Sequence, residues 1–190
     1  MLSPSGKPEM QPPEDSLLAR LRQGDPEAWT AFVASTRRMI HAVGYRITGN
    51  ATDAEEVLQE SFLAFNKALP RFRGEASPST FLYRIAVNAA LRLSQANARQ
   101  AGAASLEESA LLGKEGAEDP AEREEVLGEV RAAVLALPPQ QRAVFTLRHY
   151  ENVPLERIAE ILELAPGTVK AHLHQAVQNL RDRLRHRVSP

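Results

Sequence analysis

Cysteine is absent from the 190-residue chain, which excludes disulfides, thiolate metal sites, a cysteine nucleophile and a thiol redox sensor. No apolar run approaches the roughly 18–20 residues that span a bilayer, so no membrane insertion is expected. Residues 1–13 are proline-rich and polar and lack an apolar core segment. This excludes a secretory signal and predicts a short disordered tail on a cytoplasmic protein. Strict apolar–polar alternation is missing over any useful length, so no sheet is expected. Net charge is nearly absent too, at −1 from 23 basic and 24 acidic residues. There is no activated nucleophile, glycine-rich phosphate loop or Glu-x-x-His pattern, so neither catalysis, a metal nor a cofactor is expected.

What is present is ordinary for a soluble, core-forming chain: 43% apolar and 25% charged residues. Charge is distributed unevenly. Residues 1–97 hold 11 basic and 10 acidic side chains, 98–125 hold 3 and 8, and 126–190 hold 9 and 6. An acidic middle between basic ends suggests two modules and a solvated linker. Apolar residues recur at helical spacing over 16–23, then from Pro26 through Trp29, Phe32, Val33, Ile40 and Val43. Gly49-Asn50 breaks that helix, a third runs over about 52–69 to Pro70, and Ser77-Pro78 opens a fourth that frays near Asn97. Residues 98–122 lack a sustained apolar period and read as the linker. Helices over about 123–136, 139–149, 154–163 and 166–185 follow, separated by proline-containing breakers. The expected fold is all-α: two small helical bundles joined by a flexible linker. The expected units are a tail over 1–13, a first bundle over 14–97, the acidic linker over 98–122 and a second bundle over 123–187.

The second bundle contains Pro154-Leu-Glu-Arg-Ile-Ala-Glu-Ile-Leu-Glu-Leu-Ala-Pro-Gly-Thr-Val-Lys-Ala-His-Leu-His. A short helix, a tight turn and a longer basic-ended helix make a helix-turn-helix. Ile158, Leu162, Val169 and Leu173 are placed to pack the two helices, and Ala159 allows close approach. Thr168, Lys170, Ala171, His174 and Gln175 fall at the leading end, where such helices meet base edges. Arg181, Arg183, Arg185 and Arg187 add positive charge along the tail. Two packed helices with a solvated basic face are the plainer alternative. His172 and His174, two residues apart, point to different sides of a helix and do not suit a shared metal.

In the first bundle, Asp53-Ala-Glu-Glu-Val-Leu-Gln-Glu-Ser-Phe-Leu-Ala-Phe-Asn-Lys-Ala-Leu-Pro-Arg-Phe-Arg-Gly-Glu precedes Thr80-Phe-Leu-Tyr-Arg-Ile-Ala-Val-Asn. This closely resembles region 2 of bacterial RNA polymerase sigma factors. Leu137-Pro-Pro-Gln-Gln-Arg with the helix-turn-helix resembles their region 4. Two such regions without an intervening domain resemble the extracytoplasmic-function (ECF) group, and the likeness covers about residues 16–185.

The resemblance implies binding to core RNA polymerase, through its β′ and β subunits, and recognition of promoter DNA through −10 and −35 elements. Glu56, Gln59, Glu60 and Leu63 share one helix face at i, i+3, i+4 and i+7. With Phe62, they occupy the helix that in the family docks on the β′ coiled coil. A solvated acidic face is the plainer reading of that spacing. Arg71, Phe72, Arg73, Arg84, Asn88 and Arg92 fall where the family reads the −10 element. Phe72, Asn88 and the loop backbone suit a pocket for a flipped base, and the arginines suit phosphates. Phe81, where many relatives carry tryptophan, serves equally as pocket wall or core. For the −35 element the resemblance points to Thr168, Lys170, Ala171, His172, His174 and Gln175. Relatives commonly read Thr-Val-Arg-Ser-Arg where this chain has Thr168-Val-Lys-Ala-His, so fewer fixed cations anchor phosphate. Gln175 is able to pair with adenine and Ala171 to meet a thymine methyl. The 25-residue linker reaches roughly 80 Å when extended, against roughly 50 Å between the two elements. Control by an anti-sigma factor is a further implication. Two rivals remain: a dimeric operator-binding regulator, which leaves the Glu56–Leu63 face unexplained, and a helical-bundle enzyme with a carboxylate metal site at Glu55, Glu56 and Glu60.

Overall fold

The computed structural model describes residues 14–103 and 120–185. The expected tail, residues 104–119 of the expected linker, and Arg187 lie outside the described residues. Those described form eight α-helices and no strand: α1 (Glu14–Arg22), α2 (Pro26–Thr48), α3 (Ala51–Ala68), α4 (Pro78–Ala103), α5 (Pro120–Leu135), α6 (Pro139–Phe145), α7 (Leu155–Leu162) and α8 (Pro166–Arg183). A 3₁₀ turn, Leu69–Arg71, ends α3, and a π-helical turn, Thr146–Tyr150, extends α6.

Capping explains the boundaries. Asp25 accepts hydrogen bonds from the backbone N–H of Glu27 and Ala28, and proline stands at the first position of α2. Arg20, 2.6 Å from its carboxylate, is the main reason Asp25 sits below the ordinary carboxylate range. Gly49 ends α2 at φ +80, a conformation that favours glycine. Asn50 then caps α3 by accepting from Thr52 N–H at 2.7 Å. Gly49 also leaves room for α5, because a Cβ there would stand 2.7 Å from a Leu135 methyl.

Two boundaries differ from expectation. Helix α4 runs to Ala103, six residues past Asn97, and α5 opens at Pro120 rather than at 123. Residues 98–103, Ala-Arg-Gln-Ala-Gly-Ala, offer no apolar stripe, but alanine, arginine and glutamine are strong helix formers. At the other end, proline suits the first helical turn.

Helices α2, α3 and α4 pack on one another around Phe32, Ile40, Val43, Val57, Phe65 and Leu82. Phe65 is fully buried, with ring centroids 5.2 Å from Phe32, 5.9 Å from Trp29 and 5.6 Å from Phe81. Phe65→Ala is expected to destabilise the protein by about 3–5 kcal/mol, measured by urea denaturation. A change under about 1 kcal/mol would refute this placement of the ring.

The second bundle is α5–α8. Ala133, Val134, Leu137, Ala176 and Leu180 form its own small core. Ala143, Val144, Leu147, Ile158, Ile161 and Val169 instead join the apolar cluster of the first bundle. Helix α4 packs on α6 and α7, and α2 on α5, α6 and the π turn. The two bundles therefore lie against each other.

Candidate nucleic-acid interface

On α3, Glu56, Gln59, Glu60 and Leu63 are exposed, and Leu63 is 62% accessible. Phe62 departs from this group. It is half-buried and meets Phe32 edge-on at 6.4 Å, because it falls on the side of α3 that faces α2. An exposed leucine among carboxylates and an amide is a partly apolar surface with a polar rim, the composition of a protein-binding patch.

Past the 3₁₀ turn the chain forms a loop through Gly74, at φ +78, to Ser77, whose hydroxyl accepts from Thr80 N–H. Phe72 stacks on Phe81, with centroids 4.3 Å apart and rings within 2° of parallel. Both rings line an open cleft of about 650 Å³, together with Lys67, Arg71, Arg73, Glu75 and Arg84. Four cations around an aromatic wall offer stacking for a base and charge for a backbone. Phe81 serves both roles that the sequence left open: it lines the cleft and touches Phe65.

Two contributors escaped the sequence reading. Lys67 stands four residues before Arg71, a helical spacing that could have flagged it. Arg22 of α1 donates to the backbone carbonyls of Leu69 and Phe72 and so ties the start of the loop to α1. Its partners lie 47 and 50 residues away, and no local pattern announces them.

The remaining predicted residues of α4 are engaged. Arg84 lies 3.4 Å from the Glu163 carboxylate, Asn88 donates to the carbonyl of Ile161 at 3.0 Å, and Arg92 pairs with Glu60. Arg71 and Arg73 are exposed.

The helix-turn-helix is formed by α7 and α8, with Glu163 in the left-handed conformation between them. Ile158, Ala159, Leu162 and Val169 are buried and Leu173 half-buried, as their spacing predicts. Thr168, Lys170, Ala171, His174 and Gln175 are exposed on α8. Gln175 accepts from Gln141 at 3.3 Å, which ties it to α6. His172 stands apart: it is half-buried, and its enclosed Nδ1 has no hydrogen-bond partner. Arg181 and Arg183 are exposed, while Arg185 pairs with Asp182 at 2.8 Å.

Residues 32–100 match Sigma-70 region 2, and residues 127–180 match Sigma-70 region 4. The ECF RNA polymerase sigma-E factor of Haemophilus influenzae is 30% identical over 180 residues, covering 90% of this chain and 95% of that protein. The chain belongs to the ECF sigma factors. The ECF RNA polymerase sigma factor SigW of Bacillus subtilis is 29% identical over 177 residues, 88% of this chain and 95% of its own. The fold matches that of the sigma factor RpoE solved with the anti-sigma factor NepR from Bartonella quintana. That likeness has a TM-score of 0.58 at 16% identity, over 83% of this chain and 96% of the other.

Sigma factors are transcription initiation factors, and this one carries both matched regions in order. The acidic face of α3 and the basic cleft fall within the region 2 match, and α7 with most of α8 within region 4. No helix among the described residues is long and apolar enough to cross a membrane.

Proposed function

We propose that this sigma factor docks on core RNA polymerase through Glu56, Gln59, Glu60 and Leu63, with β′ the principal contact and β a further one. The first bundle, α1–α4, takes the −10 element in the cleft walled by Phe72 and Phe81. Arg71, Arg73 and Arg84 hold phosphate at this cleft, and further along α4 Asn88 reads a base edge and Arg92 holds phosphate. The second bundle, α5–α8, reads the −35 element with Thr168, Lys170, Ala171, His174 and Gln175. His172 supports α8 from its inner side. The chain acts by binding in the cytoplasm, and polymerase performs phosphoryl transfer.

The observation that carries this reading is the cleft. A parallel aromatic pair at its edge and four cations around it suit one unstacked base and the strand that carries it. Control by an anti-sigma factor is part of the proposal, supported by the related RpoE solved with one.

The test is in vitro transcription with purified core polymerase and a genomic promoter pool. Discrete start sites are expected with wild type and not with the Glu56→Ala/Gln59→Ala/Glu60→Ala variant. If no transcripts form and the protein fails to bind core while still binding closed operator duplex, it is a plain helix-turn-helix regulator instead.

A further inference from the structure

We propose that Arg22 of α1 is a positioning residue for −10 recognition: its guanidinium pins the loop that carries Phe72 and so holds that ring in place to stack on a base. Arg22 does not itself line the cleft. This deepens the proposed function and rests on its assignment of the cleft to the −10 element.

The loop leaves α3 at a helix end, where backbone carbonyls lack intrahelical donors. Phe72 N–H donates to the carbonyls of Ala68 at 3.1 Å and Leu69 at 3.3 Å. Arg22 supplies further donors from outside. Its Nε donates to the Leu69 carbonyl at 3.3 Å, and its Nη2 donates to the carbonyl of Phe72. Phe72 is thus held at both its N–H and its C=O, one on each side of its Cα. With φ at −67 and ψ at 124 fixed in this way, the direction of its Cα–Cβ bond is set. The ring is delivered 4.3 Å from Phe81 and within 2° of parallel.

A guanidinium suits this task because its donors form a rigid planar fork, which engages both carbonyls at once. A cation also complements the negative end of α3. No other partner competes for the side chain: Arg22 is exposed, stands outside the apolar core and forms no ion pair with any described residue.

Such a clamp needs a firm base, and α1 is anchored. Leu21 is buried, Trp29 donates its indole N–H to the Leu21 carbonyl at 3.0 Å, and Arg20 pairs with Asp25 at 2.6 Å. A second support lies under the loop, where a Cβ on Gly74 would stand 3.5 Å from a Leu18 methyl. Leu18 and Arg22 are one helical turn apart and share a face of α1. Helix α1 therefore carries the loop at Phe72 and at Gly74. The cations of the cleft come from α3, the turn and loop after it, and α4.

Titration of a −10 oligonucleotide with the reconstituted holoenzyme at several salt concentrations tests this role. Loosening the loop lowers affinity in proportion to the fraction of molecules whose ring still stands in place. Arg22→Ala is expected to bind about tenfold more weakly at every salt concentration, with the wild-type salt slope. Added to Phe72→Ala, the same change should cost less than about twofold more, because its effect passes through the ring. Arg22→Lys keeps the charge but not the fork, and so keeps the test open if the alanine variant fails to fold. It should melt as wild type does and bind at least about fivefold more weakly. Wild-type affinity in either folded variant would overturn the proposal. So would a shallower salt slope, which would make Arg22 a phosphate contact. An undiminished loss in the Phe72→Ala background would overturn it too, by showing that Arg22 acts without the ring. Wild-type holoenzyme with no preference for the −10 oligonucleotide over a scrambled one would instead overturn the proposed function, and this inference with it.

Discussion

Glu56→Lys combined with Glu60→Lys is expected to weaken binding to core polymerase by at least about 100-fold with no loss of fold. Both carboxylates are exposed on α3, and neither belongs to the apolar cluster. Exposed helical substitutions of this kind usually change stability by within about 0.5 kcal/mol. At an interface the sign of a charge matters far more. Like-charge juxtaposition costs several kcal/mol, and about 2.8 kcal/mol already corresponds to 100-fold. The Glu60 change also frees Arg92, its partner across α3 and α4. Affinity of the isolated protein for single-stranded DNA should therefore rise, not fall, in the same variant. Fluorescence titration with core polymerase, a thermal melt and an oligonucleotide titration measure the three effects. Unchanged core affinity in a folded variant would remove the docking role from this face.

That coupling between Glu60 and Arg92 marks where the sequence stops being legible. Helices are written locally. Asp25-Pro26, Gly49-Asn50 and Ser77-Pro78 each satisfy helix ends with side chains two or three residues away, and α7 and α8 bury the residues their spacing picks out. Exposure of most of the acidic α3 face and of the leading end of α8 follows from the same periodicity. The partners of Arg84, Asn88 and Arg92 lie 79, 73 and 32 residues away. A periodic reading places the three on one face and cannot say what covers it. Phe62 shows the same limit, since one step around α3 separates a docking face from the core. The extension of α4 had the opposite cause: a search for apolar stripes passes over helix sustained by alanine-rich propensity alone.

Removing cations from the cleft and removing its aromatic edge should separate into two distinguishable losses. Lys67→Ala, Arg71→Ala and Arg73→Ala together are expected to reduce the salt dependence of binding to single-stranded −10 DNA. Each phosphate contact on a single strand contributes about 0.7 to the slope of log affinity against log salt. Three contacts then account for about 2, or roughly 100-fold at ~0.1 M salt relative to 1 M. All three side chains are exposed, so the fold should be unaffected. Phe72→Ala should leave the slope unchanged and lower affinity at every salt concentration. One base stacked on an aromatic ring is worth about 1–3 kcal/mol, which is about 5- to 150-fold. Phe81 would remain to line the cleft and to pack against Phe65. Titrating a −10 oligonucleotide with the reconstituted holoenzyme at several salt concentrations reads both effects. A triple variant with the wild-type slope would show that the cations line the cleft without touching the strand. A Phe72→Ala variant of wild-type affinity would move the base to another wall.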